Sequence, residues 1–245
     1  MMKDKIKLVA FDMAGTTVRD EHEVEHCFRQ AALQTGLEMS EAEILAVQGW
    51  GKRFVFETYW ERQLGQRDEQ WLMKVDHSFL TFTQILENHY TTQPIEPTEG
   101  ALEVFAFLRE QGIKIALTTG FYRKVTDIIL QRLGWLQGLN EDYLNVKGNA
   151  IIDCSISSDQ VASGRPAPDM IFLAMNLLKI ESAKNVISVG DTPSDIQAGQ
   201  NAQLEHCLAV ANGTHPIDLL TPHQPTKILG TLRDLTTYLQ ENDLC

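Results

Sequence analysis

Outside residues 20–92, the chain alternates between short apolar runs and amphipathic segments, and this alternation restricts its fold more than any other feature. The apolar, strand-like runs lie at residues 5–11, 113–119, 150–157, 185–191 and 206–212. Helical patterns fill most of the intervals between them. Strands that alternate with helices pair in parallel, and helices then cover both faces of the sheet. The pattern therefore predicts an α/β fold with a Rossmann-like parallel sheet and helices on both faces.

Residues 20–92 interrupt this alternation with helical patterns alone. Val24, Cys27 and Phe28 lie at helical spacing in a first helix, and a capping box at Ser40 begins a second helix that we expect to end at Gly49. Further helical patterns cover residues 52–64 and 68–90, and a proline-containing hinge follows at residues 93–100. We therefore predict an inserted all-helical cap domain at residues 20–92. The α/β core would comprise residues 1–19 and 93–245.

Charge and composition narrow the classes of partner. The 245 residues carry 21 Lys or Arg against 33 Asp or Glu, a formal net charge of −12. Nucleic-acid binding rewards clustered cations, so we predict no nucleic-acid partner, whereas a small anionic substrate needs only a local positive site. No apolar run approaches the roughly 20 residues that span a bilayer, so no membrane contact is expected. Four widely spaced Cys and the lack of a signal-peptide pattern predict a cytoplasmic protein, and a homodimer stays open.

Polar residues with complementary chemistry stand where the predicted strands end or a helix begins. They are Asp12, Thr119, Gly120, Arg165, Asp191 and Asp195. In open parallel sheets, ligands bind at the carboxyl ends of the strands, so these residues are expected to converge. Carboxylates suit Mg²⁺, while hydroxyl, backbone N–H and guanidinium groups suit a phosphoryl group.

In this order, the residues resemble the four motifs of the haloacid dehalogenase superfamily, whose members form an aspartyl-phosphate with the help of Mg²⁺. The resemblance implies that Asp12 is the nucleophile and a metal ligand. It also implies that Asp191 binds the metal, with Asp195 as a further ligand or as support behind it. The backbone carbonyl of Ala14 can complete this set of metal ligands.

The resemblance also assigns the phosphoryl site. Thr119 and the backbone amide of Gly120 would hold the phosphoryl group. Arg165 stands where a basic residue stabilises both the nucleophile and the phosphoryl group. The implied substrate is a small phosphonate or phosphate, and the implied cofactor is Mg²⁺.

Ala14 departs from the commonest form of the superfamily. Most of its phosphatases and mutases have a second aspartate there, which protonates the leaving oxygen, and loss of a general acid typically costs about 10²–10⁴-fold in rate. Together with Arg165, the Asp-x-Ala-Gly-Thr pattern is similar to the phosphonoacetaldehyde hydrolase-like (phosphonatase-like) branch. Enzymes of this branch break a C–P bond through a Schiff base on a cap lysine. The resemblance implies that role for Lys52, since residues 49–52 match the branch's Gly-x-x-Lys.

Lys52 also has a physical argument in its favour. It begins a predicted helix, where the positive end of the helix dipole disfavours an ammonium group, and burial would lower the pKa of its amine further. We therefore predict a Mg²⁺-dependent hydrolase that cleaves the C–P bond of a phosphonoacetaldehyde-like substrate. The alternative is a small-molecule phosphomonoesterase of the same superfamily.

Three residues differ from the known hydrolase of that branch. Met13 replaces a tryptophan, Gln48 a methionine and Val55 a histidine. We expect these positions to shape the substrate end of the pocket. The exact substrate therefore stays open.

A rival motif lies at the start of the predicted cap. His22-Glu23-Val24-Glu25-His26 matches the His-Glu-x-x-His pattern of zinc peptidases, which places both histidines on one face of a helix. No third ligand is evident beyond Glu41 or Glu43, and a zinc peptidase would leave the α/β half of the chain unexplained. The pattern also fits a solvent-facing side of a helix.

Overall fold

The computed structural model describes residues 5–48 and 50–245, and it contains a parallel sheet of six strands within those residues. The strands are β1 Leu8–Phe11, β2 Lys114–Thr119, β3 Cys154–Ser157, β4 Val186–Gly190, β5 His206–Val210 and β6 Lys227–Leu229. Their order across the sheet is β3-β2-β1-β4-β5-β6. From β1, the strand order therefore continues to β2 and β3 on one side and to β4, β5 and β6 on the other. The carboxyl ends of β1, β2 and β4 lie side by side.

The helices divide into an inserted group and a group that alternates with the strands. They are α1 Glu23–Thr35, α2 Glu41–Ala46, α3 Lys52–Leu64, α4 Glu69–Thr92, α5 Ala101–Glu110, α6 Arg123–Leu133, α7 Asp169–Leu177, α8 Pro193–Asn201, α9 Ile217–Leu220 and α10 Asp234–Glu241. None of them, among the described residues, is both long enough and apolar enough to cross a membrane.

Alternating side chains of the strands pack against helices on both faces of the sheet. Val9 and Phe11 of β1 lie in one apolar cluster with residues of α5, α6 and α10. Leu8, which points the opposite way, lies in a second cluster with Met170 and Ala174 of α7. Successive residues of a strand face opposite sides, so two clusters are expected when both faces are covered. The predicted Rossmann-like fold is confirmed.

Helices α1 to α4 form the predicted helical insertion after β1. The rings of Phe28 in α1 and Phe56 in α3 stack at a centroid distance of 4.7 Å, and Phe82 of α4 packs edge-on against Phe28. At the border with the sheet domain, the hydroxyl of Tyr122 donates to Glu87 Oε1 over 2.8 Å. The insertion is confirmed, whereas the division at residues 19/20 and 92/93 stays a prediction.

The sequence patterns differ from the structure at two places, and two further predictions cannot be compared with it. The strand predicted over residues 150–157 forms only at Cys154–Ser157. Strand β6 was not predicted, because three residues are too short for a periodic signal. The predicted end of the second helix at Gly49, like residues 1–4 of the predicted core, lies outside the described residues.

A buried hydrogen-bonded chain joins three helices of the insertion. Trp60 Nε1 in α3 donates to Ser78 Oγ in α4 over 2.8 Å. Ser78 Oγ donates to Thr35 Oγ1 in α1 over 2.8 Å, and Thr35 Oγ1 donates to the carbonyl of Ala31 over 2.8 Å. Ser78 is fully buried, so water cannot replace its hydroxyl without rearrangement.

Substitution Ser78→Ala is expected to lower the free energy of unfolding by about 1–3 kcal/mol, because the buried indole N–H of Trp60 loses its acceptor. Denaturant unfolding followed by circular dichroism measures the change. The matched control is Thr81→Ala on the same helix, whose hydroxyl bonds only the carbonyl of His77 within the helix. The control should stay within about 0.5 kcal/mol. Equal effects for the two variants would contradict a structural role for this chain of hydrogen bonds.

Candidate active site

Three buried carboxylates meet at the carboxyl ends of β1 and β4. Asp12 follows β1, Asp191 follows β4, and Asp195 lies in the first turn of α8. One oxygen from each carboxylate lies within 4.8 Å of the others, and all three residues are buried. The adjacent strands β1 and β4 run in register, with Phe11 opposite Val189. The sheet therefore brings together acids that are about 180 residues apart in the chain.

Arg165 inserts a guanidinium between two of these acids. Its Nη1 lies 2.5 Å from Asp12 Oδ1 and 2.5 Å from Asp195 Oδ1. Its Nη2 donates to the carbonyl oxygen of Thr118 over 2.7 Å and to the Thr118 hydroxyl over 2.9 Å. The arginine is as buried as the acids. The guanidinium of Arg165 is thus held against Asp12, the nucleophile predicted from the sequence.

One guanidinium does not offset three buried carboxylates. Burial raises the pKa of Asp12 to about 8, an effect that Arg165 opposes and that Asp195 reinforces. Burial and the charge of Asp195 raise the pKa of Asp191 to about 6. A raised carboxyl pKa means that the charged form is poorly stabilised. The cluster therefore has the electrostatic character of a site for an additional cation.

The surroundings of Asp191 leave it fixed in place. Its Oδ1 accepts from the Thr16 hydroxyl over 2.9 Å, and its Oδ2 accepts from the Thr214 backbone N–H over 2.7 Å. Gly15 has φ +86°, and a Cβ there would lie 2.3 Å from Asp191 Oδ2. Only glycine fits this position, both for its backbone angle and for the space left by the carboxylate.

The donor set fits a hard divalent cation such as Mg²⁺. Asp12 and Asp191 supply carboxylate oxygens, which Mg²⁺ prefers. Ala14 lines the same cavity and carries a backbone carbonyl. Both carboxylate oxygens of Asp195 already have partners. Arg165 contacts its Oδ1. The backbone N–H and the hydroxyl of Thr192 donate to its Oδ2 over 3.0 and 2.6 Å. Asp195 therefore holds Arg165, and it also lies within the group of acids that could hold a metal.

Thr119 and Gly120 lie beside this cluster, at the end of β2. Thr119 Oγ1 accepts from the backbone N–H of Phe121 over 3.1 Å, which leaves its own proton to donate. Both Thr119 and Gly120 line the same cavity as Asp12. The structure thus brings a hydroxyl donor and a glycine backbone next to the acids, as the strand-end pattern predicted.

Lys52 is the basic residue that the insertion contributes. It is the first residue of α3, it is only 6% exposed, and it lines the cavity opposite Asp12. Its Nζ donates to Gln48 Oε1 over 3.3 Å. Burial lowers the pKa of Lys52 to about 8, although the charges of Asp20 and Asp12 oppose the shift. The residue is therefore not a solvated lysine at a helix start, and its amine is partly neutral near neutral pH.

The cavity between the insertion and the sheet measures about 360 Å³, including the part that opens to solvent. It is lined by Asp12, Ala14, Asp20, Val24, Gln48, Lys52, Thr119, Gly120, Phe121, Thr192 and Thr214. The expectation that Met13 and Val55 shape the substrate end is wrong. Both side chains are fully buried in the apolar core, whereas Gln48 does line the cavity.

Asp20 is a cavity residue that the sequence patterns missed. It lies in the segment between β1 and α1, and it is partly buried. Its Oδ1 accepts from the backbone N–H of Glu23 over 2.8 Å and, more weakly, from that of Val24 over 3.4 Å. No motif distinguishes it from the neighbouring acids in the sequence. Only the folded structure shows that Asp20 lines the cavity.

The two histidines of the His-Glu-x-x-His segment do not both lie within a helix, as this type of zinc site requires. His22 precedes α1 with φ 70°, and its Nδ1 faces Glu25 Oε2 at 3.2 Å. His26 Nε2 instead lies 2.8 Å from Gln30 Nε2. Across the part of the chain that the structure describes, Asp12, Asp191 and Asp195 form the one group of three or more acids, histidines or cysteines placed to hold a metal.

Comparisons with known proteins agree with this geometry. A sequence profile of haloacid dehalogenase-like hydrolases matches residues 6–203. The chain is 32% identical over 216 residues to a phosphonoacetaldehyde hydrolase from Bacillus cereus, covering 81% of this chain and 73% of the relative. It is also 32% identical over 220 residues to one from Parabacteroides distasonis, covering 82% and 74%.

Solved structures show the same fold at lower sequence identity. A hydrolase from Pseudomonas syringae superposes with a TM-score of 0.78 at 17% identity, covering 97% of this chain and 99% of that one. A phosphonoacetaldehyde hydrolase-like protein from Oleispira antarctica superposes with a TM-score of 0.76 at 20% identity, covering 98% and 93%.

Mg²⁺ is expected to bind more weakly as the pH falls from about 8 to about 6. The raised pKa values of Asp12 and Asp191 place proton uptake in this range, and protons compete with the metal for carboxylates. Calorimetric titration at several pH values, with proton release measured in two buffers, tests this. Asp191→Asn should abolish tight binding, whereas Asp218→Asn, in the exposed helix α9, should not. Affinity that is constant over this range would contradict the proposed metal ligands.

Proposed function

The chain belongs to the haloacid dehalogenase-like hydrolases, and we propose that it hydrolyses the C–P bond of a small, phosphonoacetaldehyde-like substrate. One observation carries the proposal: the buried amine of Lys52 lies in the same cavity as the carboxylate of Asp12. A phosphoryl-transfer site alone needs no such amine. A cavity of this size also suits a small substrate rather than a polymer.

At the phosphoryl end of the substrate, Asp12 acts as the nucleophile. Arg165 contacts Asp12 Oδ1, so we assign the attack on phosphorus to Oδ2. Thr119 and the Gly120 backbone orient the phosphoryl oxygens, and Asp195 holds the guanidinium of Arg165 in place. When bound to Asp12, Asp191 and the carbonyl of Ala14, Mg²⁺ supplies charge neutralisation for the carboxylate and the phosphoryl group. Water then hydrolyses the aspartyl-phosphate.

At the organic end, the neutral amine of Lys52 attacks the aldehyde carbon of the substrate and forms an imine as water leaves. The protonated imine withdraws electrons from the neighbouring carbon. When Asp12 attacks phosphorus, the electron pair of the breaking P–C bond moves into this system and leaves the organic fragment as an enamine on Lys52. Protonation of the enamine carbon restores an imine, and water then hydrolyses this imine to the product aldehyde and the free amine of Lys52. The lowered pKa of Lys52 favours the neutral, nucleophilic form of the amine.

This route explains how Ala14 is tolerated. A phosphate ester releases an alkoxide, which needs a proton from a nearby acid, and Ala14 has no acid to offer. A carbon leaving group stabilised as an enamine needs no proton while the P–C bond breaks. The residue that departs from the usual motif is thus consistent with the proposed reaction.

The alternative is a small-molecule phosphomonoesterase of the same family. Its support is that the acids, Arg165 and the Thr119–Gly120 pair form a complete phosphoryl site without Lys52. The cytoplasmic location and the homodimer stay predictions.

Substitution Lys52→Arg is expected to abolish phosphate release from phosphonoacetaldehyde, because a guanidinium cannot form the imine. A screen of phosphonoacetaldehyde against small phosphate monoesters, read as phosphate release, distinguishes the two functions. Lys124→Arg is the matched control, since this exposed lysine pairs with Glu87 away from the cavity. Activity on esters alone, unchanged in Lys52→Arg, would favour the phosphomonoesterase.

Borohydride in the presence of substrate is expected to add a stable mass to Lys52. The rate of trapping should rise with pH through about 8 and then level off, because the amine reacts only when it is neutral. Peptide mass spectrometry locates the adduct. If no substrate-dependent adduct forms on Lys52 of an active enzyme, the Schiff base is excluded.

Substitution Asp12→Asn is expected to remove phosphate release from every substrate by at least about 10³-fold, since the amide is a poor nucleophile. The side chain keeps its size and one oxygen for Arg165. Unfolding temperatures of the variant and the wild type check that the fold survives. Release that persists in this variant would contradict the aspartyl-phosphate route for both candidate functions.

A further inference from the structure

The cavity contains an acid that the proposed mechanism does not use. Asp20 lines it together with Lys52 and Asp12. Of the acids near Lys52, Asp20 would act most strongly on its amine when ionised, ahead of Asp12. It also acts on the buried hydroxyl of Tyr90, which has no hydrogen-bond partner among the described residues. Asp20 therefore faces the organic end of the cavity.

The position of Asp20 is fixed by its local contacts. One oxygen accepts from the backbone N–H groups of Glu23 and Val24 at the start of α1. These bonds satisfy donors that a helix leaves unpaired at its first turn. The carboxyl group is thus held at a defined point of the cavity rather than on a mobile side chain.

The surroundings of Asp20 favour its protonated form. Burial, a hydrogen bond to the Glu23 carboxylate and the charges of Glu23 and Asp191 raise the pKa of Asp20 well above its usual range. For Glu23 the same hydrogen bond lowers the pKa, against the effect of its partial burial. Of these two carboxyl groups, Asp20 is thus the one whose protonated form is favoured.

Two steps at the organic end need a proton donor. When Lys52 adds to an aldehyde, the resulting carbinolamine must lose its hydroxyl group as water. When a phosphate ester is cleaved, the bridging oxygen must leave as an alcohol. Ala14 cannot serve either step, because it has no acidic side chain.

We propose that Asp20 is the catalytic acid that protonates the departing oxygen of the organic fragment. Resting on the proposed function, the step in the phosphonate reaction is the loss of water from the carbinolamine. The C–O bond breaks, its electron pair stays with oxygen, and the proton of Asp20 completes the water molecule. The nitrogen lone pair of Lys52 forms the C=N bond, and Asp20 is left as a carboxylate.

Glu23 then has a defined part in the cycle. It begins α1, donates its backbone N–H to Asp20 and is partly exposed, so it can pass a proton from solvent to Asp20. A proton taken up there returns to Asp20 before the next turnover.

Substitution Asp20→Asn tests the proposal, because asparagine keeps the oxygen that accepts from Glu23 and Val24 but has no acidic proton. We expect kcat for phosphate release to fall about 10²–10³-fold with KM changed little. The rate of borohydride trapping on Lys52 should fall in parallel. Glu21→Gln, one residue away and exposed, is the matched control and should retain wild-type rates. Unfolding temperatures of both variants show whether the fold is kept.

The outcomes separate this inference from the proposed function. If the wild type hydrolyses phosphonoacetaldehyde and Asp20→Asn is within about threefold of it, Asp20 is not the acid. If the wild type hydrolyses only phosphate esters, the proposed function fails, and the same pair of variants is compared on the best ester. Slower hydrolysis of this ester by Asp20→Asn supports the inference, and an unchanged rate overturns it. If Asp20→Asn is slow and its unfolding temperature shows that the fold is lost, Asp20→Ser takes its place, because serine retains a capping oxygen. Slowing of a folded Asp20→Ser supports the inference, and an unchanged rate overturns it.

Discussion

The concentration of three buried carboxylates around one guanidinium is the interaction on which the rest of this structure depends. Removing charges from water costs several kcal/mol per ion unless partners compensate them, and Arg165 compensates only part of this cost. The remaining field raises the pKa values of Asp12 and Asp191 and makes the cluster a site for a further cation. Such an arrangement is poor for stability, and it is useful where charge must develop at a substrate.

The parallel sheet makes this concentration of charge geometrically simple. Strands β1, β2 and β4 end side by side, and Asp12, Gly120 and Asp191 directly follow their last residues. Because the packed sheet fixes the backbone, hydrogen bonds from Thr16, Thr214 and Thr192 can hold the acids in place. The glycine at position 15 removes the one side chain that would collide with Asp191.

The helical insertion contributes what the sheet cannot supply. It places the amine of Lys52 in the same cavity as the carboxylate of Asp12, and its Tyr90 packs edge-on against Phe121, which also lines the cavity. In the proposed function, the sheet thus binds the phosphoryl end of the substrate, and the insertion binds its organic end. Within one family of hydrolases, this division lets the substrate change while the phosphoryl chemistry stays constant.

The order of residues along the chain determined the fold class, the inserted helices and the residues that we assign to the phosphoryl site. These features follow from local periodicity and from short motifs at strand ends, which neighbouring residues encode. The tertiary structure alone decided that Lys52 is buried, that Met13 and Val55 lie in the core, and that Asp20 reaches the cavity. Burial and charge coupling depend on groups that are distant in sequence. No local pattern can therefore distinguish a buried lysine or a cavity-lining aspartate from the solvated ones beside them.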